Sequence, residues 1–337
     1  MKPVAKVIIY AVLGIWSLVC LLPIYWVTIT SFKGLADIDK PPGYVPFLDF
    51  APSLDAWRFI FFEHNENLIS RLFNSAVIGV GASALTLAVS GMAIYALTRF
   101  PSTIRWATMA SFAAMIGLLL SALSASSAAL RTPLLAGAVS GLGIAFALRN
   151  NGPIMSTSGA VTLMLATRAL PPVVLVIPIY MMAIATGTRD TLTAMIFVYT
   201  AINIPVALWL LLPVFGSRAT EQEEAAQLDG ASHLAILFGI VFPMLRANVA
   251  AAGFVVFLMC WNEYLFAAYL TADHALTLPP WEVGQLSIKE AQVGGEAEEL
   301  AHLSAATVLM ILPALALGAF VQKQISRSIP NTKSRNS

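Results

Sequence analysis

Long apolar runs dominate this chain, and no other feature restricts its fold as strongly. They fall at about residues 7–30, 72–97, 106–125, 133–148, 160–185, 191–212, 248–269 and 303–321. Several reach the roughly 20 residues that carry a helix across the hydrocarbon of a bilayer. Charged residues make up 11% of the 337 and hydrophobic ones 58%, with a mean hydropathy of +0.79. A soluble domain has about a quarter charged residues, so this chain lacks the polar surface to face water. The fold class expected is an all-α polytopic membrane protein of eight spans, forming a single transmembrane domain over 1–337. The net charge of +1 offers nothing to nucleic acid.

Lys2 and Lys6 precede the first span (7–30). Its apolar run is too long for a signal-peptide core and no small-residue cleavage site follows, so a retained helix is expected. The loop 32–71 is rich in Pro and aromatic residues, with a short amphipathic helix expected near Asp55–Phe62. Residues 101–158 read as a two-span region whose second run is short enough for a re-entrant hairpin as the alternative. Pro171, Pro172 and Pro178 should kink one continuous span over 160–185, and 322–337 forms a basic tail. Eight spans put both termini on one side. Eleven of the 19 Lys and Arg residues then lie on that side (Lys2, Lys6, Arg99, Arg105, Arg149, Arg218, Arg246, Lys323, Arg327, Lys333, Arg335). Positive charge favours the cytoplasm, which places the termini and the loop 217–246 there.

Several side chains invite a chemical reading. Cys20 and Cys260 lie inside apolar runs and read as packing residues. His64, His233, His274 and His302 are scattered over different loops. There is no His-Glu-x-x-His, no nucleophile constellation and no Gly-x-x-x-x-Gly-Lys-[Ser/Thr] phosphate loop, so no enzyme, metal site or resident cofactor is expected. Glu263 and Arg168 are the ionisable residues placed within spans. Glu263 either faces a pathway or an outer partner protein, or reaches the headgroups from an interface; Arg168 snorkels or pairs with a helix-end carbonyl in preference to binding substrate. The aromatic residues read mainly as interfacial belt and packing groups, and the acidic stretch Glu282–Glu299 as a solvated or partner-facing loop.

One polar stretch stands apart, 217–246. Glu221, Glu223 and Glu224 open a helix where acids suit the dipole. Ala225 and Ala226 are small enough to enter a cleft. Gly230 permits a tight bend, supported by Asp229, into a second short helix. Pro243 should end that helix before the membrane. A helix–bend–helix with a small-residue face is suited to a socket on a partner.

The spacing Glu224-Ala225-Ala226, three residues, Gly230, nine residues, Ile240-x-x-Pro243 resembles the coupling signature of ATP-binding-cassette (ABC) importer permeases, with Phe242 where that signature has Leu. Further segments resemble its carbohydrate-uptake, maltose-transporter-type branch: Leu22-Pro23-Ile24-Tyr25, Thr30-Ser31-Phe32-Lys33, Asn74-Ser75, Ala93 to Phe100, Pro171-Pro172, Ile177 to Tyr180, and Trp261-Asn262-Glu263-Tyr264. The resemblance implies a type I permease core of six helices, with 101–158 as a two-helix insertion. It implies a binding-protein-dependent importer of a sugar, oligosaccharide or polyol in the bacterial inner membrane. The partners implied are a second, non-identical permease, two cassette ATPase subunits holding ATP and Mg²⁺, a periplasmic or lipid-anchored binding protein, and membrane lipid. Glu224, Ala225, Ala226, Asp229, Gly230 and Pro243 would engage or shape the ATPase contact; no substrate residue is assigned. The alternatives are an ion-coupled secondary transporter, which needs acids or His in its spans, and a non-transporting membrane partner, which does not explain the motif spacing.

Overall fold

The computed structural model describes residues 3–34, 37, 43–63, 68–100, 136, 139–140, 156–166, 168, 171–215, 220–286 and 296–328. Most of these are helical, and among them extended pairing is confined to isolated bridges between Lys33 and Pro52 and between Pro46 and Phe50. The helices are α1 (Pro3–Thr30), α2 (Asp55–Arg58), α3 (Leu68–Arg99), α4 (Thr157–Ala166), α5 (Pro172–Ala185) and α6 (Leu192–Phe215). They continue with α7 (Thr220–Leu228), α8 (His233–Ile236), α9 (Phe242–Met244), α10 (Arg246–Trp261), α11 (Leu265–Leu270), α12 (Leu278–Trp281) and α13 (Glu296–Ser328). Among the described residues, α1, α3, α6 and α13 contain stretches long and apolar enough to span a bilayer. The expected inserted spans over 101–158 lie, apart from residues 136, 139–140 and 156–158, outside the described residues.

The chain divides into two compact units. The first comprises residues 1–73 and 277–317. Within it α1 exposes apolar side chains around its whole circumference, as a lipid-facing helix does. Lys33 is buried, its ammonium 5.2 Å from the Trp26 ring centre and 5.3 Å from that of Phe50. The expected short helix forms as α2 and continues as a π turn, Phe59–Glu63. His302, expected in a loop, lies buried in α13 with its ring stacked on Phe59 at 3.9 Å. The stretch between the expected spans 248–269 and 303–321 is partly helical, through α12, a π turn at Glu282–Leu286, and the start of α13 at Glu296.

The second unit comprises residues 74–276 and 318–337. Among the described residues its core includes two apolar clusters, one towards each end of α6. Near the start of α6, Met195 and Tyr199 pack with Ile78, Val176, Val256, Cys260 and Phe266. Near its end, Leu208, Leu211 and Phe215 pack with Ile94, Ile236, Leu237, Val241 and Leu245. Each fully buried apolar side chain stabilises its packing by about 1.5–3 kcal/mol relative to exposure to water.

Three expectations are corrected here. The single span over 160–185 is two helices, because Pro171 is extended (ψ 131°) and starts a new helix with Pro172 in its first turn. The span over 248–269 breaks at residues 262–264, between α10 and α11. Pro243 does not end its helix. It lies near the start of α9, which follows a π turn at Leu237–Val241, and the chain turns only at Leu245. Proline lacks the N–H that an α-turn would use, and the wider turn relieves its clash with the preceding carbonyls.

Candidate functional site

The stretch around Gly230 is built by three local devices. Acidic Glu221 and Glu223 occupy the first turn of α7 and complement its positive end. The helix closes with the Gly230 N–H donating to the Gln227 carbonyl and the Ala231 N–H to that of Ala226, both at 3.0 Å. That closure needs a left-handed residue, and Gly230 supplies it with φ +81°. Ser232 then caps α8, its Oγ accepting the Ala235 N–H at 3.3 Å. The helical run 233–244 meets α10 at 90°. If α10 crosses the membrane, this run therefore lies along its surface.

Glu224, Ala225, Asp229 and Gly230 are exposed and Ala226 is half-buried. Leu228, 90% exposed, and Leu234, 59% exposed, add an apolar surface beside them. Pro243 is exposed as well, while the neighbouring Phe242 ring packs edge-on to Phe215 and Phe238 and lies directly over Gly91 of α3. A Cβ at Gly91 would overlap that ring.

Sequence reasoning missed the root of the loop. Glu223 is turned inward, 2% exposed, where Arg99 holds it with both carboxylate oxygens: Nε to Oε2 at 2.7 Å and Nη2 to Oε1 at 2.9 Å. Arg99 Nη2 also donates to the Phe215 carbonyl at 3.2 Å. Tyr95 Oη lies 3.4 Å from His233 Nδ1, and the Phe100 ring meets His233 edge-on at 5.0 Å.

A second polar group links an exposed arginine to the buried Asn203 and Cys260. Arg168 is exposed, and its partners among the described residues are side chains. It donates to Asn203 Oδ1 at 2.7 Å and approaches the Met259 sulfur at 3.7 Å. Asn203 Nδ2 donates to the Tyr199 carbonyl at 2.9 Å and reaches Cys260 Sγ at 3.4 Å. Glu263 is half-buried at the break between α10 and α11. It accepts from Tyr199 Oη at 2.7 Å and caps α11 through the N–H groups of Phe266 (3.0 Å) and Ala267 (3.2 Å). The break at 262–264 is thus a helix restart with its cap.

At the other end of α6, Asp190 ties two turns together. Its carboxylate accepts four backbone N–H groups, from Ala272, Asp273, His274 and Ala275, at 2.9–3.0 Å. Partial burial pushes this carboxyl up, but the four donors outweigh it and hold the group down at about 2. Asp190 has φ +60°, a conformation Asp tolerates better than most residues. Asn74 Nδ2 reaches the same loop, donating to the carbonyls of His274 (2.8 Å) and Leu276 (3.0 Å).

Residues 137–330 match the family described as "binding-protein-dependent transport system inner membrane component". This covers more than half of the chain, which belongs to that family. Among its relatives is the sulfoquinovosyl glycerol transport system permease SmoH of Agrobacterium fabrum, 26% identical over 306 residues (90% of this chain, 85% of the relative). Another is the trehalose/maltose permease MalG of Thermococcus litoralis, 23% identical over 311 residues (92% and 89%). The fold matches a chain in the crystal structure of a bacterial ABC transporter that imports the acidic polysaccharide alginate. The TM-score is 0.62 at 17% identity, covering 95% of this chain and 96% of the other. The all-α polytopic architecture expected from the apolar runs is therefore that of an ABC importer permease.

Proposed function

We propose that this chain is the permease subunit of an ATP-driven importer of a sugar, oligosaccharide or polyol, and that the loop 217–246 receives the stroke of a cassette ATPase. The observation carrying this reading is the geometry of the loop. A helix–bend–helix whose second arm, 233–244, is set at 90° to α10 turns Glu224, Ala225, Leu228 and Leu234 outward while Glu223 and the α8–α9 run root it in the core. Small residues allow close approach, exposed apolar groups gain from being covered, and the rooted inner face moves with the bundle.

On this reading the loop and both termini are cytoplasmic, as the distribution of positive charge favours. ATP and Mg²⁺ are held by two partner ATPase subunits, since the sequence has no phosphate loop. A second permease completes the pathway, and the apolar circumference of α1 supports its burial in lipid or against that subunit. A periplasmic or lipid-anchored binding protein delivers the substrate. The carbohydrate assignment is supported by the relatives, among them trehalose/maltose and diacetylchitobiose uptake permeases. The test is purification of the tagged chain in mild detergent, with its companions identified by mass spectrometry. Recovery of a cassette ATPase and a second permease is expected. A folded, monodisperse chain that brings neither would overturn the reading.

A further inference from the structure

We infer that the Arg99–Glu223 pair is the positioning element through which movement of α7 reaches α3. The inference rests on the proposed ATPase contact and deepens it. Arg99 is the last residue of the 32-residue α3. Its single guanidinium holds both oxygens of Glu223 in the first turn of α7 and the Phe215 carbonyl at the end of α6. Three helix ends therefore meet at one planar group.

The chemistry suits transmission. A two-point contact between guanidinium and carboxylate fixes angle as well as distance, so α7 cannot pivot about it as it could about one hydrogen bond. Apolar packing around Ile236, Leu237 and Val241 resists compression but is non-directional; the fork also resists pull and twist. Glu223 is almost fully buried, and a buried carboxylate does not leave its cationic fork without a large penalty.

Adjacent glutamates divide the work. Successive residues point roughly 100° apart on a helix, so Glu224 faces outward while Glu223 faces the bundle. Load applied at the outer face passes through α7 to Arg99. Tyr95 and Phe100, at the same end of α3, contact His233 at the start of α8. The end of α3 thus grips both arms of the loop.

The experiment uses the complete transporter in proteoliposomes and reads substrate imported per ATP hydrolysed, stimulated by loaded binding protein. Arg99→Gln and Glu223→Gln are expected to lower that ratio about tenfold. Arg99→Lys, which keeps the charge without the fork, should fall between them and the wild type. The exchange R99E/E223R should return the ratio to within about threefold of wild type. A merely structural pair would reduce the number of assembled transporters while leaving the ratio of the survivors unchanged, and that result overturns the inference. If the glutamine variants do not assemble, an unchanged ratio in Arg99→Lys overturns it equally. A wild-type assembly without ATP-linked import would instead refute the proposed function.

Discussion

Replacing Gly91 by alanine tests how the loop is seated. The new methyl would lie 2.6 Å from Phe242 Cε1 and closer still to Cζ, whereas carbon atoms rest about 3.5–4.0 Å apart. The ring must retreat by about 1 Å, yet Phe238 and Phe215 hold it with centroids at 5.2 and 6.2 Å. Overpacking of this kind costs about 1–3 kcal/mol. Phe242→Leu alone removes part of a half-buried ring and should cost about 1 kcal/mol. Combined, the methyl enters the space the ring edge vacates, so the double variant should be more stable than the sum of the singles by about 1 kcal/mol or more. Buried Cys260 provides the assay, because a thiol-reactive dye reaches it only on unfolding once exposed Cys20 has been changed to Ser. Thermal ramps in detergent on all four chains give the cycle. A Gly91→Ala chain that melts like its parent, or a double variant at the simple sum, would refute the contact.

Other perturbations act on named groups. Glu224→Lys should abolish uptake while the protein remains in the membrane at wild-type level, measured by transport and immunoblot; normal transport would remove Glu224 from the partner contact. Gly230→Pro should do the same, since proline has neither the N–H given to Gln227 nor access to φ +81°. Asp190 makes stability depend on pH. Its carboxyl sits at about 2 in the folded chain against about 3.9 unfolded, so its contribution is present above about pH 4 and is lost as pH falls towards 2. Melting of wild type and Asp190→Asn should therefore differ at neutral pH and converge in acid; a gap constant with pH would contradict the four-donor clamp.

The membrane class and the helix–bend–helix were legible because both are written locally, the one in apolar runs and the other in Glu, Ala and Gly at fixed spacing. The inward turn of Glu223 was not. It depends on Arg99, 124 residues earlier in the chain, and nothing in Glu223-Glu224 says which member is buried. Pro171-Pro172 marked a disturbance, but proline in a membrane helix is compatible with either a kink or a restart. The partners of Glu263, Tyr199 and the start of α11, are brought to it only by folding. Asp190 stood in a recognisable turn, Gly187 to Asp190, while its four donors lie more than 80 residues away. The replacement of Leu by Phe at position 242 acquires its meaning from Gly91, an ordinary glycine in sequence.

The most direct test is uptake by proteoliposomes containing the chain with its co-purifying subunits and a loaded binding protein, with and without ATP on the ATPase side. The account predicts accumulation of a carbohydrate substrate only when ATP is supplied. It also predicts that Glu224→Lys abolishes this accumulation without dispersing the permease pair. Uptake that proceeds without ATP and follows an imposed ion gradient would contradict it.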